Sequence, residues 1–406
     1  VDTPPIPASA SPGAAGFTLT VNGTDFAPGS VVNWNGSPRA TAFVNSSQVT
    51  AAILASDVGA ASTASITVAN PAPGGGVSNV LFFQVTTPVP NAPFTPAASS
   101  TAGTTLYSIA TGDLNGDGKL DLVIGGTAAM SLLGNGDGTF QTPQPLVTAS
   151  YPICVAIADF NNDGKMDIAT CSNNDPNGDI VSILLGNGDG TFQPYRSYPT
   201  DFGGRAIAAG DFNRDGKLDL AIASNNTGNV SILLGNGDGS FQPPIDIFVS
   251  PELSAVVTGD LNRDGNLDLV VANSGGTWIL LGEGDGSFQP PASIPGSNAP
   301  GFGMPLLADL TGDGILDVLT LTGSGEVSVL LGHGDGTFSA GVADQGPSPR
   351  KPNSLGAISL LAGNGDGTFG PAVSTSVPWV PGCWRPETST AMGSWISQRS
   401  PPITPR

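Results

Sequence analysis

Apolar and polar positions alternate along much of this chain with a period of two, the spacing of half-buried strands. Phe17, Leu19 and Val21 interleave with Thr18 and Thr20, and Asn22-Gly23 follows as a turn signal. Val31–Trp34, Thr41–Val44, Gln48–Ile53, Ala64–Ala69 and Val80–Val85 read as further short strands. Six or seven strands in about 70 residues predict a small β-sandwich. From residue 104 the pattern changes. Each unit of about 50 residues holds four short apolar segments divided by turns, the signature of a four-stranded propeller blade.

Composition supports an all-β reading. The 406 residues include 57 Gly and 36 Pro, which disfavours helices. No run approaches the ~20 apolar residues of a membrane helix. With 39% hydrophobic residues the chain has enough apolar surface to fold. The formal charge of −20 excludes a basic nucleic-acid patch. If the acids cluster, they call for a cation.

They do cluster. One motif reads DLNGDGKLD at 113–121, DFNNDGKMD at 159–167, DFNRDGKLD at 211–219, DLNRDGNLD at 260–268 and DLTGDGILD at 309–317. Its first Asp recurs after 46, 52, 49 and 49 residues. Alternate positions carry oxygens that a tight loop can turn toward one centre. Loop one offers Asp113, Asn115, Asp117 and Asp121, and loop two Asp159, Asn161, Asp163 and Asp167. Loop three offers Asp211, Asn213, Asp215 and Asp219, loop four Asp260, Asn262, Asp264 and Asp268, and loop five Asp309, Thr311, Asp313 and Asp317. The seventh position (Lys119, Lys165, Lys217, Asn266, Ile315) varies, as expected where a backbone carbonyl is the ligand. The sixth is always Gly, which a left-handed turn needs. Hard oxygens without His or Cys predict Ca²⁺, about five ions. The competing reading is an Asx-rich turn with no ion. Thr311 makes loop five the weakest candidate.

Two resemblances follow from these motifs. The Asp loops, with the LLGNGDGTF segments ending at Phe140, Phe192, Phe241, Phe288, Phe338 and Phe369, resemble FG-GAP/VCBS repeats of integrin α-subunit propellers and related bacterial proteins. GFTLTVNGTDFAPGS and SITVANPAPGGGVSN resemble the IPT/TIG immunoglobulin-like family. The division expected is an Ig-like sandwich over 1–86, a Pro-rich linker over 87–103, a propeller over 104–375 and an irregular tail over 376–406. The resemblance implies a surface or secreted location, although no signal peptide is visible and the start at Val1 suggests a missing upstream segment.

Other features are weighed separately. The GNGDG segments read as hairpin turns between third and fourth strands, with second cation sites or anion nests as alternatives. His333, the single histidine, stands where sister repeats have Asn or Glu and reads as a turn substitute. Cys154 and Cys171 flank loop two and come nearly opposite each other if it joins antiparallel strands. A disulfide and two buried thiols both satisfy the sequence. Tyr195, Arg196, Tyr198, Asp201 and Arg205 form the densest candidate ligand cluster outside the loops.

The chain end breaks the repeat. Phe338 to Phe369 spans 31 residues where 47–52 is usual, and the sixth unit has no Asp loop. The tail CWRPETSTAMGSWISQR (383–399) holds no blade motif. It can be encoded by codons that, read two bases later, give LAAGDFNGDGKLDIAT. The shifted first Asp falls 18 or 19 residues after Phe369, and that gap is 19 in three intact units. The expectation is five full blades, a truncated sixth and a seventh lost by frameshift.

For function, the sequence favours an extracellular Ca²⁺-stabilised recognition module with a glycan or protein ligand. A propeller-type polysaccharide lyase or glycosidase is the enzymatic alternative, and a scaffold segment of a larger surface protein a third. Outside loops and GDG turns 12 of the 33 acids remain; glycoside hydrolysis would need two of them facing one another, and no pair recommends itself by its spacing along the sequence. One histidine nearly excludes a nucleophile–His dyad.

Overall fold

The computed structural model describes residues 9–71 (except 24, 25 and 47), 81–85, 105–149, 151–172, 180–201, 203–273, 275–294, 305–321 (except 312), 327–344, 357–360 and 373–376, with 7 and 78. The proposed linker 87–103 and nearly all of the tail lie outside them. Every described element is a strand.

The N-terminal strands form two sheets, one of five strands and one of three. Phe17–Asn22 pairs antiparallel with Gln48–Ile53, and Val31–Trp34 with Ser62–Ala69. Their inward residues share one core, in which Leu19, Val21, Val32, Trp34, Val49, Ile53, Ile66 and Phe83 are buried. Phe83 stacks on Phe17 and tilts against Trp34. The expected alternation therefore resolves into an immunoglobulin-like sandwich.

The repeats form five antiparallel four-stranded sheets, each with its strands in chain order. In blade three these are Gly204–Gly210, Asp219–Ser224, Asn229–Leu233 and Ile245–Phe248. First strands of successive blades touch one another, which sets them innermost, while the fourth strands of blades one to four are short and mostly exposed. The second strands DIATCS, DLAIAS and DLVVAN are buried at every position. They are covered on both faces, so they read as apolar runs rather than alternating ones. The cores lie between blades. One cluster joins Val181 and Ile183 of blade two to Leu220 and Leu233 of blade three, and another joins Val230 and Ile232 to Leu269 and Val271 of blade four. A two-stranded pair, Ala357–Leu360 with Val373–Ser376, follows blade five.

In blades one to four a bulge leaves one residue of the first strand unpaired near its start: Tyr107, Ile153, Arg205 and Ser254. Cys154 and Cys171 are paired directly across the first two strands of blade two, Cα atoms 5.2 Å apart, and are joined as a disulfide. Of the two readings the sequence left open, the structure adopts the covalent one.

Candidate metal centres

Each Asp motif forms the loop between a blade's first and second strands. Its sixth residue is a left-handed Gly in all five copies (Gly118, Gly164, Gly216, Gly265 and Gly314, φ 78° to 85°). The fourth position is left-handed too: Gly116, Asn162, Arg214 and Arg263, φ 56° to 71°. Two left-handed residues separated by one curl the chain so that successive N–H groups face inward.

The first Asp receives those N–H groups. In loop one, Asp113 Oδ1 accepts from Asp117 at 3.2 Å and Oδ2 from Gly118 at 2.8 Å. Asp159, Asp211 and Asp309 repeat both bonds. The third-position Asn115, Asn161, Asn213 and Asn262 accept from the fifth residue, and the fifth Asp accepts from the seventh N–H.

Loop four departs from its sisters. Asp260 Oδ2 accepts from Gly265 at 3.0 Å, but Oδ1 is buried with no hydrogen-bond partner. Burial raises the Asp260 pKa, with the Asp264 charge adding to it. In loop five, Thr311 Oγ1 is likewise buried and unpartnered. Two unsatisfied hard oxygens at ligand positions fit an oxygen-seeking cation.

The ninth-position Asp has a role that the sequence reading missed. Asp121, Asp167, Asp219, Asp268 and Asp317 are essentially fully buried. One oxygen accepts the N–H of the second loop residue at 2.8–2.9 Å (Leu114, Phe160, Phe212, Leu261, Leu310). The other accepts, at 2.7–2.9 Å, from Gly134, Gly186, Gly235, Gly282 and Gly332, which open the second motif. This carboxylate therefore staples the two motifs of a blade together. Desolvation, reinforced by neighbouring loop acids, pushes Asp167 up to about 6 and Asp219 and Asp268 to about 7. Asp121 and Asp317 move the same way. The spacing from the ninth Asp to its glycine varies from 13 to 19 residues, so no fixed interval marked the pair; only the recurrence of Asp at position nine in all five loops hinted at it.

The seventh side chain also has work to do. Lys119, Lys165 and Lys217 each set Nζ within 2.9–3.4 Å of the fifth Asp of the same loop. As they stand, no three Asp, Glu, His or Cys side chains among the described residues converge to hold a metal ion. Backbone N–H groups and the lysines occupy the oxygens instead. Each carboxylate oxygen keeps a second lone pair, so the donor set suits a cation without forming a finished cage.

The five described segments of the GNGDG kind are hairpin turns between third and fourth strands, each closed by a Gly–Phe pairing such as Gly134↔Phe140. Asp137 Oδ1 accepts from both N–H and Oγ1 of Thr139, and Asp189, Asp238, Asp285 and Asp335 do the same with their Thr or Ser. His333 donates its N–H to Thr337, as the turn requires. The turns also latch blades. Gly190, Gly239 and Gly286 donate to the second loop residue of the preceding blade, Leu114, Phe160 and Phe212.

The structure disperses the proposed ligand cluster. Arg196 and Tyr198 lie on an outer strand and bond the carbonyls of Asp238 and Gly239 in the next blade. Tyr198 also meets Phe241 edge-on. Asp201 accepts from Asn229, and Arg205 is the bulge residue of an innermost strand. Tyr195 precedes the outer strand and is exposed. At the end opposite the Asp loops the sequence reading overlooked Tyr151 and Glu252. They start the innermost strands of blades two and four with left-handed φ of 51° and 59°. Non-glycine residues held there are uncommon and cluster at functional sites.

Comparison with known proteins agrees with this architecture. The FG-GAP-like repeat profile matches 125–170, 170–222, 211–271 and 260–320, the FG-GAP repeat profile matches 105–140, and the IPT/TIG domain profile matches 5–85. No curated protein sequence matches. Among solved structures, an Agrocybe aegerita lectin recognising non-reducing terminal N-acetylglucosamine is 22% identical, with 67% of this chain and 81% of the lectin covered and a TM-score of 0.49. Pseudomonas aeruginosa periplasmic gluconolactonase is 14% identical over 78% of this chain and 92% of its own, TM-score 0.49. The six-bladed Aleuria aurantia fucose lectin is 11% identical over 82% and 100%, TM-score 0.41. By its repeats and their extent, the chain belongs to the FG-GAP repeat β-propeller proteins and carries an N-terminal IPT/TIG domain.

Proposed function

We propose that the chain is an extracellular recognition module in which about five Ca²⁺ ions are structural. The observation that carries this reading is the buried, unpartnered Oδ1 of Asp260 within a loop repeated five times. Asp113, Asn115 and Asp117 would supply side-chain oxygens in loop one, Lys119 its carbonyl and Asp121 its stapling carboxylate. The other loops would do the same at matching positions. A bound divalent ion would supply positive charge against acids that now crowd one another. Sites of the ~10⁻⁴–10⁻³ M affinity typical of extracellular modules would be filled where calcium is millimolar. Five ions would reduce the formal charge from −20 to about −10.

The ligand would be a glycan or a protein, held at the end opposite the Asp loops. Exposed Tyr151 and the strained Glu252 mark that end. Recognition rather than turnover is the reading favoured by the scattered acids outside the loops. No helix among the described residues is long and apolar enough to cross a membrane.

Calorimetric unfolding with Ca²⁺ and with EGTA, together with metal analysis, tests the proposal. The expected result is bound calcium and a melting midpoint that falls on chelation, because a ligand of the native state alone stabilises it. Metal-free protein with an unchanged midpoint overturns it.

A further inference from the structure

Blade one presents a face that every other junction in the propeller covers. Three contacts recur between successive blades. The eighth loop residue packs on the glycine before the preceding blade's first Asp: a Cβ on Gly210 would lie 2.6 Å from Leu267, and one on Gly259 2.8 Å from Leu316. The second glycine of each GDG turn packs on a leucine of the preceding blade: Gly190 on Leu133, Gly239 on Leu185, Gly286 on Leu234 and Gly336 on Leu281. Innermost-strand residues pack under the preceding blade, as Leu253 and Val256 do.

Among the described residues, blade one has the same side chains without these partners. Leu120 is 40% exposed, whereas Leu267 and Leu316 are 6% and 8%. A Cβ on Gly138 would meet nothing within 4 Å. Ile109 is 62% exposed, and its counterpart Val256 only 5%. Leu106 and Tyr107 are exposed beside it. Behind them, Ile124 and Leu132 make a cluster with residues of blade one alone, whereas every other propeller cluster joins two blades.

We propose that this face is the docking surface for one more blade of the same repeat, and that its occupant is the repeat spelled by the shifted reading of 383–399, LAAGDFNGDGKLDIAT. The string supplies what the uncovered side chains need. Its glycine before the first Asp is the seat that Leu120 lacks. Its DF carbonyl stands where Leu114, Phe160 and Phe212 accept a GDG turn N–H. Its LDIAT is a second strand, the element that packs against the next blade's first strand at the junctions of blades one to four. Closure buries the uncovered face of blade one against the added sheet, while the short edge strands of each blade remain.

The test compares three full chains in calcium buffer: the chain as written, one with Cys383–Arg399 replaced by the shifted string, and one with that string scrambled. The readouts are amide exchange over Leu106–Gly112 and the melting midpoint. The shifted string alone is expected to protect those amides and raise the midpoint by about 5 °C or more. Ile109→Asp is expected to cancel that gain and to leave the written chain unchanged within error. Equal protection in all three chains overturns the proposal, since the face would already be covered by the sixth unit or a second copy. No gain from the shifted string overturns it too. Gene sequencing is a separate check on the occupant: codons that cannot be read as LAAGDFNGDGKLDIAT refute it.

Discussion

The Asp loop and the GDG turn sit at the same end of each blade and share a composition of Asp, Gly and Asn, yet the ninth Asp of the loop and the Asp of the turn shift in opposite directions. In the turn, Asp238 is exposed and its Oδ1 accepts from both the hydroxyl and the N–H of Ser240. Those hydrogen bonds hold its pKa below the usual carboxylate range. In the loop, Asp219 is buried against two backbone N–H groups, and desolvation outweighs them. The difference lies in burial and like-charge crowding rather than in residue type.

The largest effect should come from the staple. Asp268→Ala leaves the N–H groups of Leu261 and Gly282 buried and unpaired and should cost about 3 kcal/mol or more. Asp285→Ala in the neighbouring turn should cost far less. Denaturant unfolding measures both, and equal losses would erase the contrast between loop and turn.

Next comes pH. Folded-state pKa values of about 6 to 7 at Asp167, Asp219 and Asp268 exceed the unfolded value near 4, so the native state binds more protons between them. Cation-free protein should therefore lose stability as pH rises from about 4 to about 7. Calcium should flatten or reverse that slope, since it favours the ionised carboxylates. Melting curves in EGTA that rise over this window would contradict the burial argument.

A smaller effect separates two glycines of equal backbone strain. Gly239 and Gly138 both have left-handed φ, but only Gly239 faces a neighbour, Leu185, at 2.6 Å. Gly239→Ala should destabilise by about 1 kcal/mol more than Gly138→Ala. Smallest is Lys119→Met. Its exposed pair with Asp117 should contribute little to stability, but its loss should strengthen calcium binding at loop one a few-fold by freeing a carboxylate. Titration calorimetry would detect that change.

Much of this was legible in the sequence because it repeats. The phase of the Asp motif and of LLGNGDGTF located every described blade, and the sixth-position glycines announced their left-handed turns. The role of the ninth Asp was not legible, because its partners are backbone N–H groups on another hairpin. The Tyr195–Arg205 residues separate in space for a related reason. Residues near in sequence straddle the step from an outer strand to an inner one, so Tyr198 and Arg205 end on opposite edges of adjacent blades. Tyr151 gave no warning, since a residue before proline ordinarily stays extended.

The disulfide of blade two sets loop two apart from its four sisters. It closes a ring of chain around Asp159–Asp167, so much of the entropy of ordering that loop is removed before any cation arrives. With calcium bound as proposed, loop two should be the last of the five to loosen on chelation in an oxidising medium, and should lose that rank when the bond is reduced.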